Sequence, residues 1–111
     1  KNVQSFAEKL IELNLKVRTM TLESFGLEKY MEEHLNAANK HFQLLKYKGI
    51  SDNTENKIGF YPHIDRHFLT ILCQNDAVDG LEIKTKDGEE WIKVKPSQAS
   101  SFIVMAGASL H

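Results

Sequence analysis

The hydrophobic repeat changes its period part-way along this chain, and that change excludes most folds. Phe6, Leu10, Leu13, Val17 and Met20 recur at spacings of four, three, four and three, the one-sided stripe of an amphipathic α-helix. The pattern covers about residues 2–25 and stops at Gly26, a residue suited to a left-handed C-terminal cap. A shorter helix is expected next, with Leu27, Tyr30, Met31 and Leu35 on one side and Glu28, Glu32 and Glu33 on the wet side. From His41 the period falls to two, as Phe42, Leu44 and Lys46 alternate with Gln43, Leu45 and Tyr47, which reads as a strand. Residues 49–57 are polar and loop-like, and strands are expected at 67–73, 81–85, 90–94 and 101–106. Asp87-Gly88, between Leu81–Thr85 and Trp91–Val94, signals a hairpin. Helices first and strands afterwards, without alternation, predict an α+β fold rather than a doubly wound sheet.

A chain of 111 residues, 41% hydrophobic and 26% charged, has the length and composition of one globular domain. Its formal net charge of −1, with Lys and Glu interspersed, makes no electrostatic case for nucleic acid or an anionic membrane as a partner. No apolar run approaches the roughly 18 residues that cross a bilayer. The sole cysteine, Cys73, has no internal disulfide partner, which fits a reducing, cytoplasmic compartment, and is expected to be a small buried hydrophobe in a strand. The chain starts at Lys1 inside a helical pattern and stops at His111 just after the apolar run Ser101–Ala106. Domains usually finish in exposed, disposable residues, so a piece of a longer protein is expected.

The chemistry concentrates at Tyr61-Pro62-His63-Ile64-Asp65. Side chains alternate along an extended backbone, so His63 and Asp65 point the same way, about 6–7 Å apart. One imidazole and one carboxylate converging on a point make two-thirds of a 2-His-1-carboxylate site for non-haem Fe(II). The tripeptide alone is weak, because with five His in the chain chance supplies about 0.2 His-x-Asp occurrences. His67 shares the face but would lie about 13 Å from His63 on a strand, too far for one ion, and is expected to line a pocket or face solvent. His34 and His41 are expected to be solvated.

The run His63-Ile64-Asp65-Arg66-His67-Phe68-Leu69-Thr70-Ile71-Leu72-Cys73-Gln74 resembles the H-x-D-x-x-x-L-T-x-L-x-Q segment of plant 2-oxoglutarate/Fe(II)-dependent dioxygenases. Gly80-Leu81-Glu82-Ile83, Trp91-Ile92-Lys93-Val94-Lys95-Pro96 and Phe102-Ile103-Val104-Met105-Ala106-Gly107 continue the likeness in order, where the family reads G-L-x-V, W-I-x-V-x-P and F-V-V-x-x-G. Met20–Tyr30, Glu33–Asn36, Cys73–Asp76, Thr85–Gly88 and Ala106–His111 look like the glucosinolate side-chain dioxygenases of crucifers, which form alkenyl or hydroxyalkyl products. The likeness then covers nearly the whole chain.

The resemblance implies residues 1–40 as helical support and 41–111 as part of a double-stranded β-helix, or jelly roll. It implies His63 and Asp65 as iron ligands, with 2-oxoglutarate and O₂ as cosubstrates and a small molecule as substrate. Tyr47 falls where the family often has the tyrosine of an N-x-Y motif that holds 2-oxoglutarate. Leu45 stands at the Asn position, so Tyr47 is a candidate only. Gly107-Ala108 replaces the family's usual G-D, a departure that fits the glucosinolate subgroup. The distal histidine is expected about fifty to sixty residues after His63, and an Arg-x-Ser cosubstrate clamp further on. Neither falls within these residues, so no turnover is expected from them alone, and unpaired strand edges are expected to keep them from folding unaided. Four readings stay open. They are an oxygenase acting on a glucosinolate side chain, one acting on another plant metabolite or hormone, a catalytically dead truncated product, and a β-rich binding module without iron.

Overall fold

The computed structural model describes residues 2–37, 40–47, 58–74, 80–95 and 101–110. Helix α1 (Asn2–Ser24) leads through a 3₁₀ turn (Glu28–Tyr30) into α2 (Met31–Ala37), and strands β1 (Leu69–Cys73), β2 (Glu82–Lys84), β3 (Trp91–Lys93) and β4 (Phe102–Ala106) follow. Helices therefore precede strands, as the change of period predicts. The chain divides into two compact units, Lys1–Asp65 and Arg66–His111.

In the first unit α1 ends as its sequence requires. Gly26 adopts φ +67°, a conformation that costs other residues a Cβ clash. Its N–H donates to the Glu23 carbonyl at 3.0 Å while the Leu27 N–H reaches back to the Leu22 carbonyl at 2.9 Å. That bond pair is a Schellman cap, which satisfies carbonyls the helix end would otherwise leave open.

The expected stripe of α1 is covered in part, with Leu10, Leu13 and Val17 half-buried. Phe6 and Met20 are exposed, whereas Arg18 and Leu22 are buried, and Arg18 is the residue that reaches His34 of α2. Arg18 is 6% exposed, and its guanidinium donates to Asn14 Oδ1 at 2.7 Å and to His34 Nε2 at 3.0 Å. An arginine only donates, so His34 accepts through Nε2 and is neutral in this arrangement. His34, expected to be solvated, is thus half-buried between the helices. The expected strand at 41–47 is also overturned. Residues 40–47 carry no regular secondary structure and are exposed, since an alternating pattern makes a strand only where another strand pairs with it.

In the second unit β1 and β4 pair antiparallel, with Leu69 opposite Ala106 and Cys73 opposite Phe102. The pairing continues through the Gly107 N–H donating to the Phe68 carbonyl at 2.9 Å and the Ser109 hydroxyl donating to the Arg66 carbonyl at 2.6 Å. Phe68 and Leu69 are buried. Thr70, Leu72, Ile103 and Met105 share the more covered face, while Phe102 and Val104 on the other remain exposed. Cys73 lies on that other face and is exposed, contrary to its expected burial, because it ends the strand. The strands are apolar on both faces, a composition typical of strands covered on both sides.

Strands β2 and β3 pair with Ile83 opposite Ile92. The Gly88 N–H donates to the Thr85 carbonyl and the Thr85 N–H to the Glu90 carbonyl, both at 2.9 Å, while Gly88 sits at φ +77°. The expected hairpin is present, with Gly88 as the left-handed residue after the turn rather than within a two-residue loop. Asp87 accepts from the Thr85 hydroxyl and from the Glu89 N–H, and these bonds, the hydroxyl's first, hold its carboxyl below the usual range.

Two outcomes follow from these contacts. Replacing Gly88 with Ala forces a Cβ into the left-handed region and costs about 1 kcal/mol, read as a lower denaturant midpoint. Burial and then the Arg18 charge lower the His34 pKa, so the folded state binds fewer protons than the unfolded chain. Stability from this contact is complete above the unfolded imidazole pKa of about 6.5 and is lost as pH falls below it. Melting between pH 7.5 and 5 should show that loss, and H34Q, whose carbonyl still accepts from Arg18, should flatten it.

Candidate metal and cosubstrate site

Residues 61–66 form no helix or strand, yet His63 and Asp65 converge. His63 Nε2 lies 3.4 Å from Asp65 Oδ1, with the two side chains 54% and 28% exposed. The expected same-side placement therefore holds without a strand around it. The cause is local. A residue before proline is pushed toward an extended conformation, and Tyr61 precedes Pro62. Its carbonyl lies 2.9 Å from His63 Nδ1. A carbonyl only accepts, so Nδ1 carries the proton and, in the neutral ring, Nε2 holds its lone pair toward the Asp65 carboxylate.

Two electron-rich atoms face one another across 3.4 Å. That arrangement is favourable when a proton on Nε2 or a cation lies between them. Bonds of about 2.0–2.2 Å from each donor to one ion span such a gap. A histidine that donates its other N–H to a backbone carbonyl has the outer support usual for metal-ligating imidazoles. The donor set fits a divalent metal. Among the described residues no group of three or more His, Cys, Asp or Glu is arranged to hold an ion.

Two neighbours that sequence patterns did not single out complete the local picture. The Phe60 ring meets the His63 imidazole edge-to-face, with centroids 4.7 Å apart and planes at 75°. Gly59 lies against Tyr47, and a Cβ there would stand 3.1 Å from Tyr47 Cδ1. Tyr47 is thus seated beside the segment that leads into His63. His67 and His41 are exposed, and His111 lies outside the described residues. The only sequence signal for the Tyr61 carbonyl was the Tyr-Pro step itself.

The model of the 2OG-Fe(II) oxygenase superfamily matches residues 34–111. The chain belongs to this superfamily. It is 50% identical over 111 residues to the probable 2-oxoglutarate-dependent dioxygenase AOP1 of Arabidopsis thaliana, with 97% of this chain and 36% of that protein covered. It is 52% identical over 192 aligned positions to the probable inactive 2-oxoglutarate-dependent dioxygenase AOP2 of the same plant, covering 99% of this chain and 47% of that protein. The chain therefore spans about a third to a half of the length of these relatives. No solved structure matches it. No helix among the described residues is long and apolar enough to cross a membrane.

The Gly59–Tyr47 contact makes its own prediction. An alanine at Gly59 must push the exposed Tyr47 ring by a few tenths of an ångström, and a valine must push it further. Tyr47 ring proton shifts should move progressively from G59A to G59V, while stability changes by less than about 0.5 kcal/mol, as for surface substitutions.

Proposed function

We propose that this chain is part of a 2-oxoglutarate- and Fe(II)-dependent dioxygenase of plant specialised metabolism, acting in the cytoplasm on a small molecule, a glucosinolate side chain. The observation that carries this reading is the convergence of the His63 Nε2 lone pair and the Asp65 carboxylate at 3.4 Å, with Nδ1 engaged by the Tyr61 carbonyl. In the intact protein these two residues hold the iron from one side. No third ligand of the facial set stands with them among the described residues. When bound, the iron supplies oxidation of the substrate coupled to decarboxylation of 2-oxoglutarate to succinate and CO₂. Tyr47, seated on Gly59, offers its hydroxyl to the cosubstrate. The two-faced apolar character of β1 and β4 supports their place in a double-stranded β-helix whose other strands cover both sides.

A second reading, a catalytically dead product, is favoured by one finding: the relative that is 52% identical is itself named probable inactive. The same experiment separates the two. In the full-length protein, D65A should abolish 2-oxoglutarate-dependent succinate release, and residues 1–111 alone should release none. A full-length protein that binds iron but never forms succinate supports the dead product. Turnover that survives D65A removes His63 and Asp65 from the reaction.

A further inference from the structure

The His63 imidazole is held on two sides that are not metal. The Nδ1–H donates to the Tyr61 carbonyl at 2.9 Å, which fixes which nitrogen faces Asp65 but leaves the ring able to swing about that bond. The Phe60 ring closes the second degree of freedom, meeting the imidazole edge-to-face at 4.7 Å and 75°. Among the described residues Phe60 is 62% exposed. Its edge-to-face geometry is directed at the side chain that presents Nε2.

We infer that Phe60 is a positioning residue, which holds the His63 imidazole in the plane that aims Nε2 at the ion shared with Asp65. This rests on the reading of His63 and Asp65 as metal ligands. An aromatic pair of this kind contributes a modest preference beyond simple burial, and outer groups that orient a ligating histidine typically change metal affinity tenfold or more. A single aromatic edge is weaker than such hydrogen-bonded groups, so its effect lies below that range. The Tyr61 main-chain carbonyl survives any side-chain change, so losing Phe60 loosens the ring without changing its tautomer.

The test is Mn(II) binding to the full-length protein, followed by the loss of the free-ion paramagnetic resonance signal, alongside ¹⁵N shifts of the His63 ring. F60L should weaken Mn(II) about 3- to 10-fold, with an unchanged melting temperature and Nδ1 still protonated. F60Y, which keeps the ring, should bind within about twofold of the parent. D65A should abolish binding at this site in every background. If F60L binds Mn(II) as tightly as the parent while D65A does not, Phe60 has no positioning role and the metal assignment stands. If D65A binds normally, the metal assignment fails and the inference with it. If F60L and F60Y weaken binding equally, the ring is not what orients His63, and the proposal is overturned.

Discussion

The hydrogen bond from His63 Nδ1 to the Tyr61 carbonyl is the constraint on which the site depends. Without it either ring nitrogen could carry the proton, and a ring with Nε2–H toward Asp65 would form an ordinary polar pair. With it, Nε2 faces a carboxylate at 3.4 Å, a geometry that is favourable once a proton or a cation lies between the two atoms. The bond costs no side chain to make. It arises because Pro62 extends the residue before it and because residues 61–66 lie outside any helix or sheet, so the Tyr61 carbonyl is open to a side chain two residues on.

The two units place their chemistry differently. The first gathers every described candidate ligand, His63, Asp65 and Tyr47, within Lys1–Asp65. It holds them by short-range means: a proline step, a glycine against a tyrosine, an aromatic edge. The second unit contributes strand pairing, with β1 and β4 in register over five residue pairs and few fully buried side chains. Strands with apolar residues on both faces and exposed Phe102 and Val104 have the composition of sheets meant to be covered.

What could be read from the residues was what local rules govern. The helix over residues 2–25 appears as Asn2–Ser24, and its Gly26 stop is a Schellman cap. All four later strands appear within one or two residues of their expected spans, because period-two patterns flanked by turn residues are local signals. His63 and Asp65 were legible for the same reason, their separation being two residues. The strand expected at 41–47 failed because alternation needs a pairing partner that no local pattern supplies. The stripe along α1 failed at Phe6 and Met20 because what faces a helix is decided by its neighbour, and here the neighbour met Arg18 and Leu22 instead. His34 follows the same rule, since an arginine sixteen positions earlier turns a surface histidine into an interhelical acceptor. Phe60 and Gly59 carry no sequence signal because their roles are contacts, not spacings.

The most direct test is a crystal structure of the full-length protein soaked anaerobically with Mn(II). One ion bonded by both His63 Nε2 and an Asp65 carboxylate oxygen is expected, with His63 Nδ1 still donating to the Tyr61 carbonyl. An ion bonded through Nδ1, or one bound elsewhere with His63 and Asp65 left facing each other, would contradict it.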